Sequence, residues 1–86
     1  MTRYMSLHTL ACLTRQGAEG LAKRLAAAQG FAVRRVAVNM TEGKMVVEYE
    51  AADRKPIEDW FAREKFHHDW LLRLEMEWRG GKFELA

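Results

Sequence analysis

Apolar and polar residues recur at regular intervals along most of the chain, and their spacing predicts the secondary structure. Residues 4–13 alternate with a period of two, which is typical of a strand. From Thr14, which is suited to cap a helix, apolar residues recur with helical spacing as far as Gly30. The pattern therefore predicts a strand followed by a helix. The apolar stripe of that helix consists of Ala18, Leu21, Ala22, Leu25 and Ala28.

A hairpin is predicted next. β-Branched residues return over 31–40, Thr41-Glu42-Gly43 supplies a turn, and residues 44–51 alternate again. Met45, Val47, Tyr49 and Ala51 form the apolar side of this third strand.

The last third of the chain predicts a second helix and two further strands. Asp53 is placed to cap a helix that carries Pro56 in its first turn and ends near Phe66. Residues 70–78 alternate and predict the fourth strand. A turn at Gly80-Gly81 then leads into a short strand over 83–85.

This order of elements predicts an α+β fold within a single domain, residues 1–86. The expected fold class is a ferredoxin-like βαββαβ sandwich, with two helices on one face of an antiparallel sheet and a short extra C-terminal hairpin strand. Right-handed crossovers predict that the first strand lies beside the third and parallel to it. One side of the sheet is expected beneath the helices, which leaves the opposite face open. The covered side takes Met5, Leu7, Thr9 and Ala11 from the first strand and Trp70, Leu72, Leu74, Met76 and Trp78 from the fourth. That open face is expected to collect His8, Leu10, Val46, Glu48, Leu71, Arg73 and Glu75.

The predicted open face is half polar and half apolar, which suggests that a second molecule covers it. A domain of 86 residues buries a smaller fraction of its surface than a large one. Pairing with a twin is a common way to cover such a face. We therefore expect a homodimer, in which the open face forms either the dimer interface or a cavity that the second copy encloses.

Composition limits the function classes. The formal net charge of +2 comes from 14 basic and 12 acidic residues that are interspersed, which favours neither nucleic acid nor membrane as a partner. One cysteine cannot form an internal disulfide, and no export signal or membrane-spanning run is evident. We expect a cytoplasmic protein.

Candidate chemistry begins with His8, which lies four residues before Cys12, the only cysteine. On a strand that rises about 3.3 Å per residue the two lie roughly 13 Å apart, so they belong to two separate sites. The first site joins His8 to Glu48 and Arg73 and would hold a metal ion or a small ligand. A surface histidine bonded within a charged strand face is the alternative.

The second candidate site joins Cys12 to His67 or His68 near the end of the first strand. A thiolate with imidazoles suits Ni, Zn or Cu better than Mg or Ca. The alternatives are that Cys12 is a small buried residue and that the two histidines simply interact with the end of a helix.

Three segments resemble those of a loosely defined set of small proteins of unknown function with dimeric α/β-barrel character, some of which bind nickel. The segments are Tyr4-Met5-Ser6-Leu7-His8, Asn39-Met40-Thr41-Glu42-Gly43-Lys44, and Ala51-Ala52-Asp53 together with Trp60-Phe61. The resemblance implies a ferredoxin-like fold, a dimer, and a metal or small-ligand site that involves His8.

The sequence thus predicts a small binding protein that holds a transition metal or a small ligand on the open sheet face of a homodimer. One alternative is a cofactor-independent oxygenase or isomerase, with His8 as general base and Arg73 stabilising an enolate-like charge. Another alternative is a protein-interaction module without a site.

Overall fold

The structure, a computed structural model that describes residues 1–86, contains two helices and six strands. Four strands form one antiparallel sheet in the order β2-β3-β1-β4, and the last two strands form a separate sheet. The elements are β1 (Thr2–Thr9), α1 (Arg15–Ala27), β2 (Ala32–Asn39), β3 (Lys44–Ala51), α2 (Lys55–Glu64), β4 (Trp70–Leu74), β5 (Met76–Arg79) and β6 (Lys82–Leu85).

The predicted ferredoxin-like βαββαβ sandwich with one extra C-terminal strand is wrong. The predicted fourth strand is interrupted at Glu75, and the chain beyond that residue pairs only with itself, as β5 and β6. The predicted parallel pairing of β1 with β3 is also wrong, since these strands are antiparallel. The crossover through α1 leaves β2 parallel to β1, and the turn after β2 then reverses the chain into β3.

The two helices begin at or next to the predicted caps. The Thr14 hydroxyl oxygen accepts a hydrogen bond from the Gly17 backbone N–H at 3.0 Å, which confirms the predicted cap of α1. In α2, Asp53 lies one residue before the cap position, where its carboxylate accepts the Lys55 N–H at 2.9 Å. Lys65, with a φ of 54°, ends α2 in the left-handed region.

Replacing Thr14 with alanine is expected to lower the free energy of unfolding by about 1 kcal/mol, because the Gly17 N–H loses its acceptor at the helix start. Urea unfolding followed by circular dichroism measures the change. Thr14→Ser keeps the hydroxyl and serves as the control, with stability close to wild type. Equal stability of the alanine and serine variants would contradict the proposed contribution of the cap.

The hydrophobic core lies between the helices and one face of the four-stranded sheet, which we call the helix-covered face. The third strand contributes as predicted, with every second residue buried from Met45 to Ala51. Aromatic rings from the loops, the sheet and α2 meet edge to face at its centre. These rings belong to Phe31, Tyr49, Trp60, Phe61 and Phe66.

The predicted faces of β1 and β4 are wrong, because both strands turn the opposite side to the helices. On β1 the residues beneath the helices are Tyr4, Ser6 and His8, which the register places beside the buried residues of β3. On β4, Leu71 is buried and pairs with Ser6. The other side of the sheet, which we call the open face, therefore carries Met5, Leu7, Val46, Glu48, Trp70 and Leu72.

Candidate functional site

The most unusual group in the core is the imidazole of His8, whose side chain is completely buried. The Phe66 ring stacks on it, with ring centroids 4.0 Å apart and an interplanar angle of 12°. The Phe61 ring of α2 meets it edge to face at 5.3 Å. The position of His8 beneath α2 follows from the register of β1, since its partner on β3 is Met45 at the buried side of that strand.

Four polar groups from three parts of the chain form a hydrogen-bonded row through His8. The Tyr49 hydroxyl lies 2.7 Å from the Ser6 hydroxyl, and Ser6 Oγ lies 2.7 Å from His8 Nε2. On the other side of the ring, His8 Nδ1 lies 2.7 Å from the His67 carbonyl oxygen. We call this row the buried histidine network.

The His67 carbonyl, at one end of the buried histidine network, determines which group donates and which accepts in each of its hydrogen bonds. A carbonyl oxygen only accepts, so the neutral ring donates from His8 Nδ1 to His67. Nε2 then accepts from the Ser6 hydroxyl, which in turn accepts from the Tyr49 hydroxyl. Both nitrogens of His8 are therefore in use.

Burial keeps the network neutral. The pKa of His8 lies below its ordinary value, mainly because burial disfavours the charged ring, and nearby His68 acts in the same direction. The His67 carbonyl and, more weakly, Asp69 oppose this shift. Burial also raises the pKa of Tyr49, against the opposing hydrogen bond with Ser6.

The segment after α2 is held at both ends, by α2 on one side of the buried histidine network and by β1 on the other. The Phe66 N–H donates to the Phe61 carbonyl at 2.8 Å, and the Asp69 N–H donates to the Leu7 carbonyl at 2.7 Å. The Thr9 hydroxyl also donates to the Asp69 carboxylate at 2.5 Å. His8 thus holds the middle of a segment, residues 65–69, whose ends are fixed by backbone bonds.

The structure does not bring the predicted partners of His8 to it. Glu48 pairs with Met5 on the open face and forms an ion pair with Arg35 at 3.3 Å, so the sheet separates it from His8. Arg73 pairs with Tyr4, which places it four residues along β1, roughly 13 Å from His8. The open-face site of His8, Glu48 and Arg73 is therefore not assembled.

Cys12 does not lie on a strand, because β1 ends at Thr9 and the Leu10 N–H bonds instead to the Gly43 carbonyl. The thiol is exposed in a turn where Cys12 has a φ of 54°. It borders a cavity of about 580 Å³ whose lining includes Met40 and Glu42 but neither His67 nor His68.

His67 and His68 are both exposed and line a cavity of about 360 Å³ at the end of α2. Phe61 and Phe66 form part of its wall, with Lys65 and Glu58 also present. In the chain as a whole, no group of three or more His, Cys, Asp or Glu side chains is arranged to hold a metal ion.

Sequence reasoning missed the roles of Ser6, whose hydroxyl bonds to the His8 ring, and of Tyr49, whose hydroxyl bonds to Ser6. One signal was present, since Ser6 and His8 stand two apart and share a face within an apolar run. Polar residues that share a buried face are expected to bond to each other. Tyr49 is separated from Ser6 by 43 positions, and only the register of β1 with β3 reveals this contact.

No family model matches the chain, and neither a curated protein nor a solved structure is significantly similar to it. Neither of the two helices is long and apolar enough to cross a membrane. The proposed function therefore depends on the geometry of the chain itself.

Proposed function

We propose that this chain is a homodimeric binding protein that associates with a second copy through its open face. The observation that carries the proposal is the exposure of Trp70 and Leu72, at 37% and 45%, on a sheet face that neither helix covers. They lie beside half-buried Leu7 and Met5, their register partners on β1. Grouped apolar side chains on one exposed face are typical of association surfaces, because their burial is favourable.

The charges on the open face fit a second copy. Arg3 and Glu50 are register partners on β1 and β3, the two central strands. Within each copy Arg3 is paired with Glu77 and Glu50 with Arg34 at 3.4 Å, so a two-fold axis that stacks the two open faces brings no unpaired charge into the interface from these residues. A face whose charges are balanced in this way does not select a partner that carries one sign of charge, and a second copy carries the same balanced face.

Self-association accounts for more of the structure than the other two hypotheses. A metal site around His8 and a general base at His8 each require a free ring nitrogen, and both nitrogens are bonded inside the core. On the open face, Glu48 is engaged by Arg35. The exposed thiol of Cys12 supports a cytoplasmic location, where thiols stay reduced.

Leu72→Arg is expected to weaken the dimer at least about 100-fold, because the two-fold axis brings two new charges into one apolar interface. Sedimentation equilibrium across micromolar concentrations measures the dissociation constant. Ala26→Arg adds the same charge on the exposed side of α1 and is expected to dimerise like wild type. A wild-type protein that stays monomeric, or a Leu72→Arg variant that dimerises equally well, would contradict the proposal.

A further inference from the structure

The cavity of about 360 Å³ at the end of α2, which we call the α2 cavity, combines apolar walls with basic side chains. Phe61 and Phe66, both of which belong to the hydrophobic core, form its apolar walls. Lys65, His67 and His68 also line it and are exposed. The volume is within the range of small-molecule sites, about 300–1,000 Å³, where apolar contacts hold the ligand and a few polar groups orient it.

The walls of the α2 cavity are held in place by the rest of the fold. The His8 ring contacts both Phe61 and Phe66, with ring centroids 5.3 and 4.0 Å away. The Phe66 N–H donates to the Phe61 carbonyl at 2.8 Å, which fixes the chain where it leaves the helix. The His68 ring lies against Phe61, with centroids 4.8 Å apart. A ligand therefore loses little affinity to the ordering of these groups.

The basic side chains of the α2 cavity have no acidic partner. Lys65, His67 and His68 form no ion pair with any Asp or Glu of the chain. The backbone N–H groups of His67 and His68 lie outside the helices and strands and donate to no backbone carbonyl. An ammonium group, two imidazoles and two amides can all donate hydrogen bonds, and an anion is the ligand that accepts from such a set.

The one carboxylate at the α2 cavity is engaged by a neighbour. Glu58 is the only acidic residue of its lining and is paired with Arg54 at 3.5 Å. The Phe61 and Ala62 carbonyls at the end of the helix already accept the Lys65 N–H. A metal ion would meet the Lys65 ammonium without the three side-chain ligands that it needs. The charges of the cavity therefore favour an anion over a cation.

We propose that the α2 cavity binds a small organic acid, whose carboxylate lies at Lys65 and the two histidines and whose apolar body lies against Phe61 and Phe66. The aromatic walls favour an organic anion, because an inorganic anion would leave them in water. The site is independent of the proposed homodimer, since α2 packs on the helix-covered face and the dimer uses the open face.

Three small probes test the charge and the apolar body separately. Benzoate is expected to shift the amide NMR signals of residues 61–68 and to saturate with a dissociation constant on the order of 1 mM, which is ordinary for so small a ligand. Benzamide has the ring without the charge and acetate has the charge without the ring, so each is expected to bind at least about fivefold more weakly. Benzoate that binds no better than either one, or that causes no saturable shift at these residues, would overturn the inference.

A pair of lysine variants locates the charge that binds the carboxylate. Lys65→Gln is expected to weaken benzoate binding about threefold to fivefold, since the ligand loses one exposed charge pair. Lys23→Gln removes the same charge from the exposed side of α1 and is expected to bind benzoate like wild type. Amide signals of the four-stranded sheet check that both variants fold. Equal benzoate affinity of the two variants would overturn the inference, whatever the oligomeric state of the protein.

Discussion

Replacing His8 with alanine is expected to lower the free energy of unfolding by about 3–5 kcal/mol. The substitution leaves a cavity between Phe61 and Phe66, which both contact the imidazole. It also removes the donor to the His67 carbonyl and the acceptor of the Ser6 hydroxyl, so that two buried polar groups lose their partner. Urea unfolding followed by circular dichroism measures the loss.

Two further variants separate the hydrogen bonds from the general loss of core volume. His67→Ala keeps the backbone carbonyl that His8 uses and removes only an exposed ring, so its stability is expected within about 0.5 kcal/mol of wild type. Tyr49→Phe removes one hydroxyl from the end of the buried histidine network and is expected to cost about 1 kcal/mol. A His8→Ala variant as stable as His67→Ala would show that the network does not support the fold.

Local rules predicted the parts of the fold that depend on neighbouring residues. The turn at Thr41-Glu42-Gly43 joins β2 to β3, and Gly43 adopts a φ of 66° there, which glycine tolerates without strain. The Thr14 cap and the buried side of β3 are also found as predicted. Each of these features is decided within a few positions of the chain.

The buried face of β1 was predicted wrongly because both faces of that strand carry side chains that can be buried. Hydrophobicity favours Met5 and Leu7 beneath the helices, whereas the structure buries Ser6 and His8. Burial of these polar side chains is tolerated because Tyr49 and the His67 carbonyl, 41 and 59 positions from His8, complete their hydrogen bonds. No local pattern shows partners at that distance.

The break at Glu75 could not be predicted from alternation, because the period of two continues unchanged from Trp70 to Trp78. β4 ends where its partner strand, β1, ends. Leu74 is paired with Arg3, and only Thr2 of β1 lies beyond that pair. The remaining residues pair among themselves through Gly80 and Gly81, and the Ala86 N–H returns to the Glu75 carbonyl.

Acid is expected to destabilise the protein through His8, beginning near pH 6.5. Burial holds the pKa of His8 in the folded state below the value of about 6.5 in the unfolded chain. Above pH 6.5 the ring is neutral in both states and its contribution is complete. As the pH falls further the unfolded chain takes up the proton first, so stability falls by up to about 1.4 kcal/mol per pH unit until the folded pKa is reached.

The geometry of the buried histidine network explains why the folded state resists this proton. Protonated Nε2 must donate to Ser6, whose own hydrogen then turns to Tyr49, and the Tyr49 hydroxyl has no second acceptor among its hydrogen bonds. Asp69, the one carboxylate that acts on the ring, favours its protonation only weakly, and His68 disfavours it.

Urea unfolding between pH 7 and 5 measures the slope of the free energy of unfolding against pH. A His67→Ala variant should keep the slope and His8→Ala should lose it, because His67→Ala removes an exposed ring and keeps the backbone carbonyl that His8 uses. A slope that survives in His8→Ala would assign the acid sensitivity to other groups.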